Sequence, residues 1–571
     1  MNHRIVHGAV AGIFAAALGL GSPASAQPAR SGAVAQAKKP DAKKKPAKDK
    51  DKDKKKAAKP AAKPSGHHAA APVGVPAAAP VVPAGPAATP LKMALSIEKA
   101  KLDNGLRVVM NVDRTSPTVA VAVTYDVGSR NEQRGRSGFA HLFEHMMFQG
   151  SGNVPKGDHF KLVASHGGVL NGTTSSDRTN YFEVLPANEL ALALWLEADR
   201  MKSLAVNAEN FENQRKVVQD EYRMRVSNVA YVPSELRLEE MVFQGYWPYE
   251  YSTIGSMADL DGAKLEWVQE FFAKHYAPNN AVITIAGDFE PAEAMALVKK
   301  YFDSAKRADT APFEDVPFPE QTSQRTAVMK DAFARTPGIL YGWAVPPHRS
   351  PDHYALEMAS VLLGHGESSR LHQLLVRDKG VALEVSAATE NRRGPDLFVI
   401  DLKLSGSAKV GDVEKLVEAE IKSLATRGPT DAEMEKARRR AQAGLVLGLQ
   451  SNMSRATRLG EYEVFYGDAR LVNAELDHYF AVTKDDLKRV VMQHLGPTRR
   501  TIVETYPADA QPAAPPKPAP AVASTGDGGA KKPGKPEAGA KHDAKKAVAS
   551  KGDKKEPKKE AKKTEAKKKK N

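Results

Sequence analysis

Two histidines four residues apart, His141 and His145, bracket a glutamate in the stretch GFAHLFEHMMFQGS. On a helix this spacing puts both imidazoles on one face, one turn apart, where their neutral nitrogens can share a metal ion such as zinc. Glu144 then stands beside the ion, where a carboxylate can take the proton of a metal-activated water and pass it to a leaving amine. The arrangement suits hydrolysis and reverses the order of the H-E-x-x-H motif. Five residues do not make a site, because one histidine capping a helix and another packed in a core would read the same way. The sequence contains no cysteine, so a third ligand must be a histidine or a carboxylate.

The flanking residues indicate what positions the motif. Asn104-Gly105 is a hairpin signal, and Leu106 to Met110 and Val119 to Val127 read as strands. Gly138 precedes the expected helix carrying His141. In HGGVLNGTTSSDRTNYFEVLP the later part reads as a strand ending at Pro186. Helical patterns follow over Asn188 to Lys202, Ala208 to Val226 and Leu265 to Ala273, with a further strand over Ala281 to Ala286.

Composition sets the boundaries. Residues 1–26 combine Arg4, an apolar run from Ala9 to Leu20 and the small-residue pattern Ala24-Ser25-Ala26, which is expected to be a cleaved signal peptide and to send the chain to the periplasm or outside the cell. The net charge of +15 would suggest nucleic acid, but residues 38–64 and 541–571 carry +9 each, leaving about −3 for everything else. A near-neutral body on an exported chain argues against nucleic acid. Residues 27–91 and 508–571 are Ala, Pro and Lys with almost no aromatics, a composition that cannot bury a core, so both are expected to be disordered. They could adhere to an anionic envelope surface; a solvated spacer is the simpler reading.

The remaining chain repeats itself. EADRMKSLAVNAENFENQRKVVQDEYR (197–223) parallels EAEIKSLATRGPTDAEMEKARRRAQAG (418–444), and LEWVQEFFAKHYAPNNAVITIAGD (265–288) parallels LKRVVMQHLGPTRRTIVETYP (487–507). An internal duplication follows: residues 92–310 carry the chemistry, 311–325 connect, and 326–507 form a second copy without H-x-x-E-H. The helix over Ala208 to Val226 offers Glu212, Asp220 and Glu221 as a third ligand. Gln214, Val218 and Glu221 share one face, which favours Glu221 among the three, although an exposed carboxylate is the commoner fate of such a residue.

The stretches GSRNEQRGRSGFAHLFEHMMFQGS, GGVLNGTTSSDRTNYFEVLP and NQRKVVQDEYR together resemble the pitrilysin, insulinase and mitochondrial processing peptidase family of zinc metallopeptidases, and the likeness extends through LLGHGESSRLHQLLVRDKGVALEVSA. The resemblance implies zinc held by His141, His145 and Glu221, with Glu144 as general base. It also implies substrate lying along an edge strand near Asn171. The fold it implies is α+β: two homologous domains, each a mainly antiparallel sheet packed against helices. Two positions depart from the family pattern. Gln214 stands where many members have a glutamate, and Arg377 is followed by Leu383 and Glu384 where an active arrangement would include a tyrosine. The function implied is a zinc endopeptidase acting on peptides or unfolded segments; a non-catalytic subunit and an envelope-binding scaffold are the alternatives. Members build a chamber from four such domains and this chain carries two, so a second homologous subunit lacking H-x-x-E-H is the expected partner, otherwise a homodimer.

Overall fold

The computed structural model describes residues 91–310, 313 and 316–509. The expected signal peptide and nearly all of the two Lys-rich segments lie outside these residues. The strands form two sheets. The first contains β1 (Glu98–Lys101), β2 (Arg107–Val112), β3 (Thr118–Tyr125), β4 (Val169–Thr174), β5 (Thr179–Pro186) and β6 (Ala281–Gly287), in the order β1-β2-β6-β3-β5-β4. The second contains β7 (Arg325–Asp331), β8 (Gly338–Val345), β9 (Ala382–Thr389), β10 (Asp396–Leu404) and β11 (Thr501–Pro507), in the order β7-β11-β8-β10-β9.

Apart from β1 the two paths are the same. In each, a late strand returns parallel to the first, β6 beside β2 and β11 beside β7, while the other pairings are antiparallel. The chain thus adopts the α+β class, with two mainly antiparallel sheets packed against helices. Strand β6, AVITIAG, is buried at all seven positions, as an unbroken small-and-apolar run must be when both faces of a central strand are covered.

The first half supplies helices α1 (Phe139–Met146), α2 (Asp158–Ser165), α3 (Leu190–Ser203), α4 (Ala208–Tyr222), α5 (Val232–Val242), α6 (Met257–Gly262), α7 (Leu265–His275) and α8 (Pro291–Phe302). The second supplies α9 (His353–Gly364), α10 (Val410–Arg427), α11 (Asp431–Gly448), α12 (Asn452–Tyr466), α13 (Glu475–Ala481) and α14 (Lys484–His494). The repeated KSLA segments join α3 to α4 and end α10. Asn207 caps α4, its side chain accepting from the Asn210 amide, and Thr430 caps α11 in a reciprocal box with Glu433.

The two halves exchange a helix. Leu238, Met241 and Val242 of α5 pack under the second sheet against Leu340, Leu397 and Val503. In return α12 crosses the far face of the first sheet, where Ala456 meets Ala120, Ala122 and Ala286, and Leu459 and Tyr462 join Val109 and Val282. Glycines permit both close approaches. A Cβ at Gly460 would fall 2.6 Å from Thr124 Oγ1, and one at Gly342 would fall 2.8 Å from Val242 Cγ2. A buried polar tie reinforces the exchange at the β4–β5 turn. Asp177 accepts from Arg130 Nη1 at 2.9 Å, from the Tyr249 hydroxyl at 2.6 Å and from the Arg393 amide at 3.0 Å, and Arg393 in turn pairs with Asp126 at 2.6 Å. Breaking the buried Arg130–Asp177 pair costs about 3–5 kcal/mol because the remaining charge is left uncompensated. Among the described residues no helix is long and apolar enough to cross a membrane.

Candidate metal centre

Helix α1 is two turns long and buried at every position. Its start is fixed by Gly138, whose φ of +88° suits glycine and whose missing Cβ would fall 2.6 Å from the Ile254 carbonyl oxygen. The buried Glu132 carboxylate accepts from the amides of Gly138 at 2.9 Å and Ala140 at 2.6 Å, satisfying two of the helix's orphan donors. Burial pushes the Glu132 pKa up to about 8, although those amide bonds pull against the shift. On the inner face Phe143 stacks on Phe272 at 5.5 Å between ring centroids and meets Tyr276 at 4.2 Å. Anchoring that face turns His141, Glu144 and His145 toward α4 and β4.

The imidazoles of His141 and His145 stand edge to face, 4.8 Å apart. Glu221 Oε2 from α4 lies 3.2 Å from His145 Nε2 and 3.7 Å from His141 Nε2, and one donor atom from each of the three residues lies within 4.8 Å of the others. Burial, followed by the neighbouring His145, pushes the His141 pKa down to about 3, so its ring is neutral at physiological pH and offers a lone pair. Burial would raise the Glu221 pKa, but its hydrogen bond to His145, the two neighbouring imidazoles and the Arg225 guanidinium prevail and hold it below the ordinary carboxylate range. Two imidazole nitrogens and a carboxylate oxygen in a buried pocket are a donor set that fits zinc.

Glu144 Oε2 accepts a hydrogen bond from Thr174 Oγ1 at 2.6 Å. Burial raises its pKa and the threonine opposes the rise. Gly172 packs beside it, and a Cβ there would lie 3.2 Å from Glu144 Cγ and 3.1 Å from the Tyr181 ring. Side chains alternate along β4, so Gly172 and Thr174 face α1 while Asn171 faces the other way. Asn171 pairs across the sheet with Phe182, which packs on the α12 side, and its side-chain oxygen accepts from the Gly172 amide at 2.9 Å. Four of the five named residues therefore converge; Asn171 contributes edge-strand backbone, with its side chain on the opposite face.

Gln214 is buried on the α4 face that carries Val218 and Glu221, and it donates to Asn213 Oδ1 at 2.7 Å. Arg377 is exposed and donates to Gln373 Oε1 at 3.0 Å, with Leu383 exposed at the start of β9. Sequence reasoning missed two contributors. Thr174 lay inside a run of hydroxyl residues with nothing to distinguish it. Arg225 donates to Glu221 Oε1 at 2.9 Å, and its i, i+4 spacing could have revealed it. The expected helix to Val226 instead ends at Tyr222, followed by a widened turn over Arg223–Ser227 in which the Asn228 amide reaches back five residues to the Arg223 carbonyl. A second buried group, His159, Glu183 and Glu197, also brings possible ligands together, but Arg200 already lies among them and donates to Glu197 through Nε at 2.8 Å.

The fold and this site together define a class. Residues 107–247 match the insulinase family (peptidase family M16), and residues 263–441 match the peptidase M16 inactive domain. The chain belongs to the M16 peptidase family. It is 30% identical to the zinc protease PqqE of Helicobacter pylori over 413 residues, which span 72% of this chain and 93% of that one. Its structure is similar to the crystal structure of a protease from Helicobacter pylori, with a TM-score of 0.69 at 30% identity, covering 72% of this chain and all of that one. It also shares its fold with the periplasmic protease PqqL from Escherichia coli, at TM-score 0.61 and 18% identity, covering 73% of this chain but 48% of that one.

Proposed function

We propose that the protein is a zinc-dependent endopeptidase that hydrolyses peptides or unfolded polypeptide segments. The observation that carries this reading is the convergence of His141, His145 and Glu221 beside a buried Glu144 held by Thr174. His141, His145 and Glu221 would hold zinc, which would supply Lewis-acid chemistry to a carbonyl and to water. Glu144 accepts the proton of the attacking water at a carboxylate oxygen and delivers it to the departing amine nitrogen. Its raised pKa brings it closer to the neutral range in which one group can both take and give a proton. Thr174 fixes the carboxylate's rotamer. Strand β4 is the edge of the first sheet, so an extended peptide can add to it through backbone hydrogen bonds near Asn171, with Gly172 leaving room above Glu144. An edge-strand mode selects extended chains over folded proteins.

The test is cleavage of a fluorogenic peptide library, alongside metal analysis, with and without a chelator. Metal-dependent cleavage supports the reading; cleavage unaffected by full metal removal refutes it. The partner proposed is a second homologous subunit without H-x-x-E-H, with a homodimer as fallback. The similar PqqL chain is about twice as long as the region it shares with this one, which supports a four-domain assembly. The mass of the complex isolated gently from its source distinguishes the two. The composition of residues 1–26 supports an exported, periplasmic or secreted location.

A further inference from the structure

The second half holds a cleft of about 220 Å³ at the position equivalent to the metal centre, between α9, α11 and the edge strand β9. Aligning the helix caps Asn207 and Thr430 sets Gln214, Val218 and Glu221 of α4 opposite Ala437, Ala441 and Gly444 of α11, and all three small residues line the cleft. Helix α9 contributes Glu357, Ser360 and Val361, the same i, i+3, i+4 face that α1 uses for His141, Glu144 and His145. The metal ligands are gone and the space they would fill is open.

The polar groups around this space are unevenly satisfied. Glu475 is paired with Arg349 and accepts from the Tyr354 hydroxyl at 3.1 Å; Glu357 accepts from the Tyr479 hydroxyl and lies 3.3 Å from His353 Nε2. Both acids that line the cleft therefore have partners. Two arginines do not: Arg440 of α11 and the partly buried Arg458 of α12 line the cleft without a hydrogen bond or ion pair among the described residues. Burial works against the charged form of Arg458, but Glu461, Tyr462, Tyr479 and Glu357 around it prevail and favour it. The Thr389 hydroxyl, at the end of β9, is buried in the cleft wall with no hydrogen-bond partner. The unspent capacity is thus two guanidinium groups and a hydroxyl, donors that match a planar anion with two oxygens.

We propose that this cleft is a carboxylate-binding site in which Arg440, Arg458 and Thr389 hold the anion. The carboxylate can belong to a peptide, through its C-terminus or an acidic side chain, or to a free organic acid. The peptide source rests on the peptidase reading. Binding is read without cleavage, so failure of either idea leaves the other standing.

The experiment uses the full-length chain carrying Glu144→Gln, so that peptides survive, with Arg440→Gln and Arg458→Gln added separately. Three probes are compared: a fluorescent hexapeptide with a free C-terminal carboxylate, its C-terminal amide, and succinate. The expected result is that the acid peptide binds about tenfold or more tighter than the amide and that each arginine variant removes most of the difference. Equal binding of the two peptides, with succinate bound and lost in the same variants, supports the site with a free acid as its ligand. Absence of both effects, or a preference that persists in both variants, overturns the proposal. If Arg458→Gln fails to fold, Arg440→Gln, at an exposed position, decides alone.

Discussion

Thr174 Oγ1 donates to Glu144 Oε2 across 2.6 Å, joining the carboxylate of α1 to the edge strand β4. The strand proposed to receive substrate therefore also orients the group proposed to move the proton. Thr174→Val is expected to keep its metal and lose about ten- to a hundredfold in kcat, because a freed carboxylate samples unproductive rotamers. Thr174→Ser, which keeps the hydroxyl, should recover most of the rate. Steady-state kinetics with metal analysis reads both; a fully active Thr174→Val protein would remove the threonine from the mechanism.

Glu144→Gln and Glu221→Gln should fail differently. The first leaves the ligands untouched and should retain zinc while losing at least about a hundredfold in activity, since an amide cannot accept the proton. The second should lose metal affinity. Full zinc occupancy in Glu221→Gln together with undiminished activity in Glu144→Gln would overturn the site.

Gly460→Ala places a methyl 2.6 Å from Thr124 Oγ1 and 3.0 Å from Thr284 Oγ1, where α12 lies on the first sheet. Overpacking of this kind costs about 1–3 kcal/mol. Leu238→Ala should cost about 2–5 kcal/mol at the other exchanged helix. Denaturant titration of both variants checks this, and wild-type midpoints would mean that the exchanged helices are not tightly seated.

Burial pushes Glu183 to about 8, while the nearby Arg200 pulls it down. Its unfolded value is about 4.3, so between these limits the folded protein holds a proton that the unfolded chain releases, and stability falls as pH rises. His159, pushed down to about 3 chiefly by burial, acts in the opposite sense only below its unfolded pKa of about 6.5. From pH 6.5 to 8 the Glu183 contribution should show as a decline of at most about 1.4 kcal/mol per pH unit. Glu183→Gln should reduce that slope by the Glu183 share while Glu132, also pushed up to about 8, keeps its own; an identical slope in the variant would show that Glu183 is not responsible.

The residues of the candidate site were more legible in the sequence than the architecture around them. His141, Glu144 and His145 occur as one local motif, and Glu221 shares a helical stripe with Gln214 and Val218, so periodicity alone favoured it. The duplicated KSLA segments disclosed the repeat. The destinations of α5 and α12 were not legible, because an apolar stripe says that a helix is covered, not which sheet covers it. Thr174 was hidden because register, not composition, decides which hydroxyl of TTSS meets the carboxylate. The turn over Arg223–Ser227 escaped notice because its residues are ordinary helix formers, and only the backbone reveals the extra residue.

The exchanged helices also order the making of the protein in time. The far face of the first sheet, with Val109, Ala120 and Val282, waits for α12, whose residues begin at Asn452. A ribosome has by then completed the first sheet and nearly all of the second. Until that point an apolar surface spanning β2, β3 and β6 is open to solvent or to another chain. A chain interrupted before Asn452 should therefore aggregate through its first half, although every residue of the candidate metal centre has already been made.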